Sequence, residues 1–346
     1  MAGWLTGIED ERGYRPPLFH RLFRGRISGN DINGLGETTP RRPRPVYHDQ
    51  GRWHPWRIVQ DAFYVRVSLR GFWPFVMASD RLDRRRPAPV ASVRVEDTPH
   101  GWSARVKRAA LEIGADDAGI ARVDPEWVFE GEEVREPWIV VLASRMDYGR
   151  LAATIRRDFR TGLGTVMETY YRGHETATKL ADWIRAQGWH AKGYGSPRRT
   201  PVNLLPAAIA AGLGELGKHG SLIHPRLGSC FRLAYVLTEL PLTDDRPAEF
   251  GADDFCASCQ LCTRECPPEA ISDRKQLVRG VERWYVDFDR CVPYFNDNYG
   301  CGLCLAVCPW SRPGVAERLA AKMQQRREAR TDGARTTARD HPNDPP

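Results

Sequence analysis

The chain has 346 residues, a formal net charge of +7 and 41% hydrophobic residues. That length allows a sizeable core and a small second domain, and the hydrophobic content is ordinary for a soluble protein. No apolar run reaches the length of a membrane span: the best candidate, Phe63 to Ala78, is broken by Arg66 and Arg70. Met1-Ala2-Gly3-Trp4 has no charged segment leading into an apolar one, and Arg41-Arg42 lies too deep for a twin-arginine signal, so a cytoplasmic protein without membrane contact is expected. The excess positive charge falls in residues 1–90, where arginines are scattered among prolines and aromatics. A nucleic-acid arm would stripe them, so a solvated surface is expected instead.

Residues 1–100 form an Arg/Pro/aromatic-rich region, partly irregular, whose aromatics (Trp53, Trp56, Phe63, Tyr64, Phe72, Trp73, Phe75) are expected to pack onto the core, with Arg84-Arg85-Arg86-Pro87 as a boundary loop. From Trp102, residues Val106, Ala109, Ala110 and Ile113 share a helix face and Gly114 supplies a stop. Ala118–Val123 and Trp138–Ser144 read as strands. Val166–Arg185 reads as a helix ended by Gly188, followed by a strand over Trp189–Tyr194, a short helix over Leu204–Ala211 and a strand over Phe231–Thr238. This alternation predicts an α/β (α+β) core over 101–249. A cluster domain over 250–312 follows, then a charged helix from Arg312 to Arg330 and a frayed tail, so that residues 313–346 form the last segment.

Two cysteine runs carry the strongest signal. Cys256, Cys259, Cys262 and Cys266 stand in CxxCxxCxxxCP order; Cys291 is followed by Cys301, Cys304 and Cys308, again before a proline. This spacing wraps cubane [4Fe–4S] clusters, and in two-cluster ferredoxins the fourth cysteine of each run crosses to the other cluster. The rule assigns Cys256, Cys259, Cys262 and Cys308 to cluster 1 and Cys266, Cys291, Cys301 and Cys304 to cluster 2. Structural zinc favours two CxxC pairs at longer separation, and disulfides need an oxidising compartment. Cys230 is left over and reads as a small buried apolar residue.

The second feature is the run from Ala211 to Gly220, in which Gly212, Gly214, Gly217 and Gly220 allow close backbone approach to a flat or anionic ligand. A phosphate loop would need Ser or Thr after Lys218, and His219 stands there. In its longer context, Ala210 to Leu242, this segment resembles the corrinoid/iron–sulfur reductive dehalogenases. So do Asp254-Phe255-Cys256, Trp284 ahead of Cys291, Cys308-Pro309-Trp310 and, upstream, Val106-Lys107-Arg108-Ala109-Ala110, Gly114-Ala115-Asp116 and Gly119-Ile120. The resemblance covers roughly residues 100 to 312, and epoxyqueuosine reductase is the sister family.

The resemblance implies a nitroreductase-like cobalamin-binding core followed by a ferredoxin-like double-cluster domain. It implies two [4Fe–4S] clusters and a base-off cobalamin, with the four glycines as cofactor-binding candidates. The activity it implies is removal of halide from a small organohalide. In dehalogenases a Tyr assisted by a cation delivers the proton; the matching segment makes Tyr171 the first candidate and Tyr170 the second. Arg232 is the candidate cation, with Cys230 or Ser229 as alternatives at that position. Glu175 stands where the sister family has its acid, which keeps an epoxyqueuosine reductase-like activity on tRNA as an alternative. A non-catalytic two-cluster electron carrier is the third reading. No DxHxxG box is present, so His190, His219 and His224 read as structural or surface groups. Without a further reductase module, electrons are expected from a separate soluble ferredoxin or flavoprotein.

Overall fold

The computed structural model describes residues 14–18, 28–47, 56–195 and 200–340. Its centre is a four-stranded sheet of β1 (Asp117–Arg122), β2 (Trp138–Arg145), β3 (Ala191–Tyr194) and β6 (Phe231–Thr238), ordered β1-β2-β6-β3. Every pairing is antiparallel. Both faces of the sheet are covered, so the strands read as unbroken apolar runs without polar alternation. In β2, Val140 and Leu142 turn to one layer while Ile139, Val141 and Ala143 turn to the other.

The first layer is built from α4 (Pro99–Ile113) and α6 (Phe159–Ala186), preceded in the chain by α1 (Gly29–Asn33), α2 (Arg57–Val67), α3 (Trp73–Arg84) and, ahead of α6, the short α5 (Tyr148–Ala152). Thr98 caps α4 by accepting the Gly101 N–H, and Gly114 ends it at φ 125. Val106, Ala110, Leu180 and Ile184 are fully buried against the sheet. Truncating a buried Leu such as Leu180 to Ala costs about 2–5 kcal/mol. The second layer is α7 (Leu204–Ala210), which buries Ala207 and Ala208 with Val141 and Leu237.

Helix α6 begins at Phe159, seven residues before the expected Val166, with Asp158 accepting the Thr161 N–H as its cap. Gly162 and Gly164 masked this first turn in the sequence because glycine disfavours helix. Their role is close packing: a Cβ at Gly162 would stand 2.3 Å from Thr154 Cγ2. The aromatic-rich segment is helical, with a π turn over Ser68–Phe72 joining α2 to α3. Trp56 and Phe63 are buried as expected, whereas Trp73 is 52% exposed. Helix α3 stops at Arg84, at the boundary loop read from the sequence. Arg42 donates to the carbonyls of Val128, Phe129 and Glu132, and Arg44 pairs with Glu130, so part of the basic segment is spent within the chain.

Beyond a small hairpin of β4 (Glu215–Leu216) and β5 (Leu222–Ile223) and the closing strand β6, the cysteine-rich segment contains α8 (Ala252–Ser258), α9 (Leu261–Arg264), the hairpin β7 (Gln276–Val278) and β8 (Val281–Arg283), α10 (Phe288–Asp297) and α11 (Leu303–Ala306). The last helix, α12, spans Ala316–Asp340, starting later than the expected Arg312 and continuing past the expected Arg330. Ala316, Ala320 and Met323 anchor it against Trp310 and Phe250. Met1–Trp4, Trp53 and the last six residues of the expected tail lie outside the described residues. Among the described residues no helix is long and apolar enough to cross a membrane.

Candidate functional site

Two short helices separated by a tight turn present the first cysteine run. Cys256 lies on α8, Cys259 follows it in extended backbone, and Cys262 lies on α9. Cys308 enters from the far end of the domain, just before the turn Pro309–Ser311. These four thiols line one cavity together with Lys218 and Trp310. Burial pushes Cys256 and Cys262 up to about 12 and Cys308 up to about 11. Thiols in such surroundings are stable as thiolates only beside a bound cation, which deprotonates coordinating sulfur outright.

The second set stands beside the first. Cys266 follows α9, Cys291 lies within α10, and Cys304 lies on α11. Cys301 takes a left-handed φ of 33 between Gly300 and Gly302, a conformation that non-glycine residues hold only under local constraint. Burial raises the Cys291 and Cys304 thiols, and neighbouring thiols raise them further: Cys266 and Cys301 act on Cys291, and Cys301, Cys291 and Cys266 act on Cys304. Cys262 also acts on Cys304, so the two sets adjoin. The Ala270 N–H donates to Cys266 Sγ at 3.3 Å and the Lys218 N–H to Cys256 Sγ at 3.5 Å. Eight thiols in two sets of four, with N–H donors on sulfur, fit two iron–sulfur clusters by the chemistry of the donor set. Cys230 stands apart in this respect: its thiol donates to the Met146 carbonyl, and burial pushes it up to about 11.

The glycines of the 211–220 run face the chain itself. A Cβ would stand 2.6 Å from the Arg246 carbonyl oxygen at Gly212, 2.2 Å from that of Ile223 at Gly214, 2.7 Å from the His219 ring at Gly217 and 2.9 Å from Val286 at Gly220. In the direction a side chain would take, each of these four positions is already filled by protein. Of the three expected histidines, His190 is exposed and the other two are internal. His219 Nε2 bonds Ser229 Oγ at 2.9 Å and burial lowers its ring to about 4; His224 Nε2 bonds Asp117 at 3.0 Å.

The proton-donor candidates lie along α6. Tyr170 and Tyr171 are both half-buried. The guanidinium of Arg232, on β6, lies over the Tyr170 ring at 5.4 Å from its centroid. Arg232 is in register with Ser144 of β2, and Arg232 Nε and Ser144 Oγ are both buried without a hydrogen-bond partner. Tyr171 has no ion-pair, hydrogen-bond or ring partner among the described residues, so the cation meets the second candidate and not the first. Arg172 turns away to the Arg145 carbonyl and Asp116. Glu175 pairs with Lys179 at 3.1 Å. The half-buried Tyr47, whose phenol is raised mainly by burial, donates to Asn296 Oδ1 at 2.6 Å and lies near Tyr64, Cys291 and Tyr170. Sequence reading passed over Tyr47, Ser144, Glu215 and Lys218. Only Lys218 carried a signal there, as the basic residue of an incomplete phosphate loop.

Three comparisons show what the chain is similar to. The 4Fe-4S dicluster domain family matches residues 255–311. A tetrachloroethene reductive dehalogenase of Desulfitobacterium hafniense is 31% identical over 213 residues, covering 58% of this chain and 37% of that protein. An epoxyqueuosine reductase of Synechococcus is 26% identical over 283 residues, covering 67% of this chain and 83% of that protein. The solved structure of the catabolic reductive dehalogenase NpRdhA, in complex with 3-bromo-4-hydroxybenzoic acid, superposes with a TM-score of 0.71 at 26% identity, over 92% of this chain and 48% of that one. The chain thus spans less than half the length of the dehalogenases it matches here. The chain is thus similar in sequence and fold to reductive dehalogenases, similar in sequence to an epoxyqueuosine reductase, and carries a 4Fe-4S dicluster segment.

Proposed function

We propose that the chain is a cytoplasmic oxidoreductase that removes halide from a small organohalide. In this reading Cys256, Cys259, Cys262 and Cys308 hold one [4Fe–4S] cluster and Cys266, Cys291, Cys301 and Cys304 hold the other. A separate soluble ferredoxin or flavoprotein supplies two electrons, one at a time. The carbon–halogen bond breaks, halide leaves, and the carbon gains two electrons and one proton. Bound base-off cobalamin would supply the reductive cleavage itself, chemistry that side chains do not perform.

The proton comes from the protein. Tyr170 is the donor in this proposal, because the observation that carries it is the Arg232 guanidinium over its ring. A phenol is neutral at pH 7 and donates without first being charged. The adjacent cation stabilises the phenolate left behind. The orphaned Ser144 Oγ and Arg232 Nε at this end of the sheet offer polar contacts to a substrate or cofactor.

The test is anaerobic reconstitution with iron, sulfide and cobalamin, chemical reduction at low potential, and measurement of halide released from a brominated phenol. Halide release that requires all three additions supports the proposal. Full cluster loading with no corrinoid binding would favour the bare electron carrier. A second reading, epoxide reduction on a modified tRNA, draws support from the 83% span of the Synechococcus epoxyqueuosine reductase. It would be preferred if an epoxyqueuosine-containing stem-loop were reduced and the halogenated phenol were not.

A further inference from the structure

The run from Ala211 to Gly220 bonds directly to the first cysteine loop. Glu215 Oε1 accepts the N–H groups of Phe250 and Gly251 at 2.6 and 2.9 Å, and its Oε2 accepts that of Asp253 at 2.9 Å. The carboxylate therefore ties down the start of the helix that carries Cys256. Three residues on, Lys218 reaches the same cysteine loop at two points. Its N–H meets Cys256 Sγ, and its ammonium donates to the Cys259 carbonyl at 2.9 Å. Lys218 is 1% exposed and lines the cavity of the four thiols. Its ammonium lies 4.8 Å from the centre of the Trp284 ring, whose indole N–H is held by Asp253.

A lysine this deep is rare unless something compensates its charge. Among the described residues no carboxylate pairs with Lys218; one carbonyl and one aromatic face are its near partners. A cubane ligated by four thiolates carries net negative charge and gains one more on reduction. We propose that Lys218 is the buried counter-charge of the cluster held by Cys256, Cys259, Cys262 and Cys308, and that it raises the reduction potential of that cluster relative to its neighbour. The role is positional and electrostatic: one electron enters the cluster from an external reductant, no proton moves, and the fixed cation favours the reduced form. The proposal rests on those four thiols holding a cluster.

The experiment is a redox titration of the anaerobically reconstituted chain, followed by EPR, for wild type, Lys218→Gln, Lys218→Met and Lys218→Arg. Lys218→Gln keeps a donor for the Cys259 carbonyl but removes the charge. It should make reduction of one cluster at least about tenfold less favourable, a midpoint about 59 mV lower for a one-electron couple, and leave the other cluster unmoved. Lys218→Arg should restore the wild-type value. Unchanged midpoints in Lys218→Gln and Lys218→Met at full iron content would overturn the proposal. Loss of half the iron in the Gln and Met variants but not in Arg would support it, since Arg alone keeps the cation although its shape differs most from Lys. Loss in all three would overturn it in favour of a purely steric role. Wild-type iron content settles separately whether the cluster is there at all.

Discussion

Replacing Arg232 with Met keeps the aliphatic stem beside Tyr170 and removes the cation. The guanidinium lies 5.4 Å from the tyrosine ring centroid. With an effective dielectric of about 20, a unit charge at that separation stabilises a phenolate by about 3 kcal/mol. Since 1.36 kcal/mol is tenfold in rate, proton delivery should slow about 10²-fold. Arg232→Lys should recover part of that loss, because the charge returns without the planar fork. Tyr170→Phe removes the proton altogether and should cost about 10²- to 10⁴-fold, the range for losing a general acid. The assay is halide release from a brominated phenol by protein with matched iron and corrinoid content, so that cofactor loss is not counted as lost catalysis. Tyr171→Phe should be mild, and so should Glu175→Gln, because that carboxylate is engaged by Lys179. The reasoning fails if Arg232→Met turns over at the wild-type rate with both clusters loaded. It also fails if Tyr171→Phe is inactive while Tyr170→Phe is not.

Iron and sulfide analysis of the anaerobic protein should give about eight of each per chain; Cys259→Ser should lower the iron and Cys230→Ser should leave it unchanged. Glu215→Ala strips acceptors from three backbone N–H groups and should destabilise the protein by about 3–5 kcal/mol, read by urea denaturation, with preferential loss of the cluster on Cys256. Asp117 is pushed up by burial, but hydrogen bonds from His224, Arg226 and the Ala118 N–H outweigh this and lower it from 3.8 to about 2. Its contribution of about 2 kcal/mol is present above pH 4 and drains away as pH falls from about 4 to 2, so Asp117→Asn should be less stable at pH 7 and show a flatter acid limb in cluster-free protein.

The strands were legible because both faces of the sheet are covered: Phe231–Thr238 was placed to the residue, and Trp138–Arg145 to within one. What escaped was helix whose local sequence speaks against it. Gly162 and Gly164 hid the first turn of α6, since their helical cost is local while their gain, contact with Thr154 and Arg150, is tertiary. The segment around Trp56 and Phe63 gave its burial away by composition, yet its helical form rests on packing against α10, which lies more than two hundred residues later.

At the site, what could be read was what is local in sequence. Ligand spacing is set by a tight loop, so the two cysteine runs announce themselves. The choice between Tyr170 and Tyr171 could not be read, because adjacent helical positions differ by about 100° and only the partner strand decides which one meets Arg232. The glycine run meets a related limit. Close backbone approach was correctly inferred from four glycines, but sequence does not say what approaches. Here it is the chain's own Arg246, Ile223 and Val286, which press the loop into place so that Glu215 and Lys218 reach the Cys256 helix. The consequence is that glycine substitutions in this run should act on the first cluster before they act on any cofactor. Gly214, at φ 152 with a carbonyl 2.2 Å from its missing Cβ, is the sharpest case. Gly214→Ala should lower iron content even in protein prepared without cobalamin, whereas a corrin cradle would leave iron intact and lose only the corrinoid.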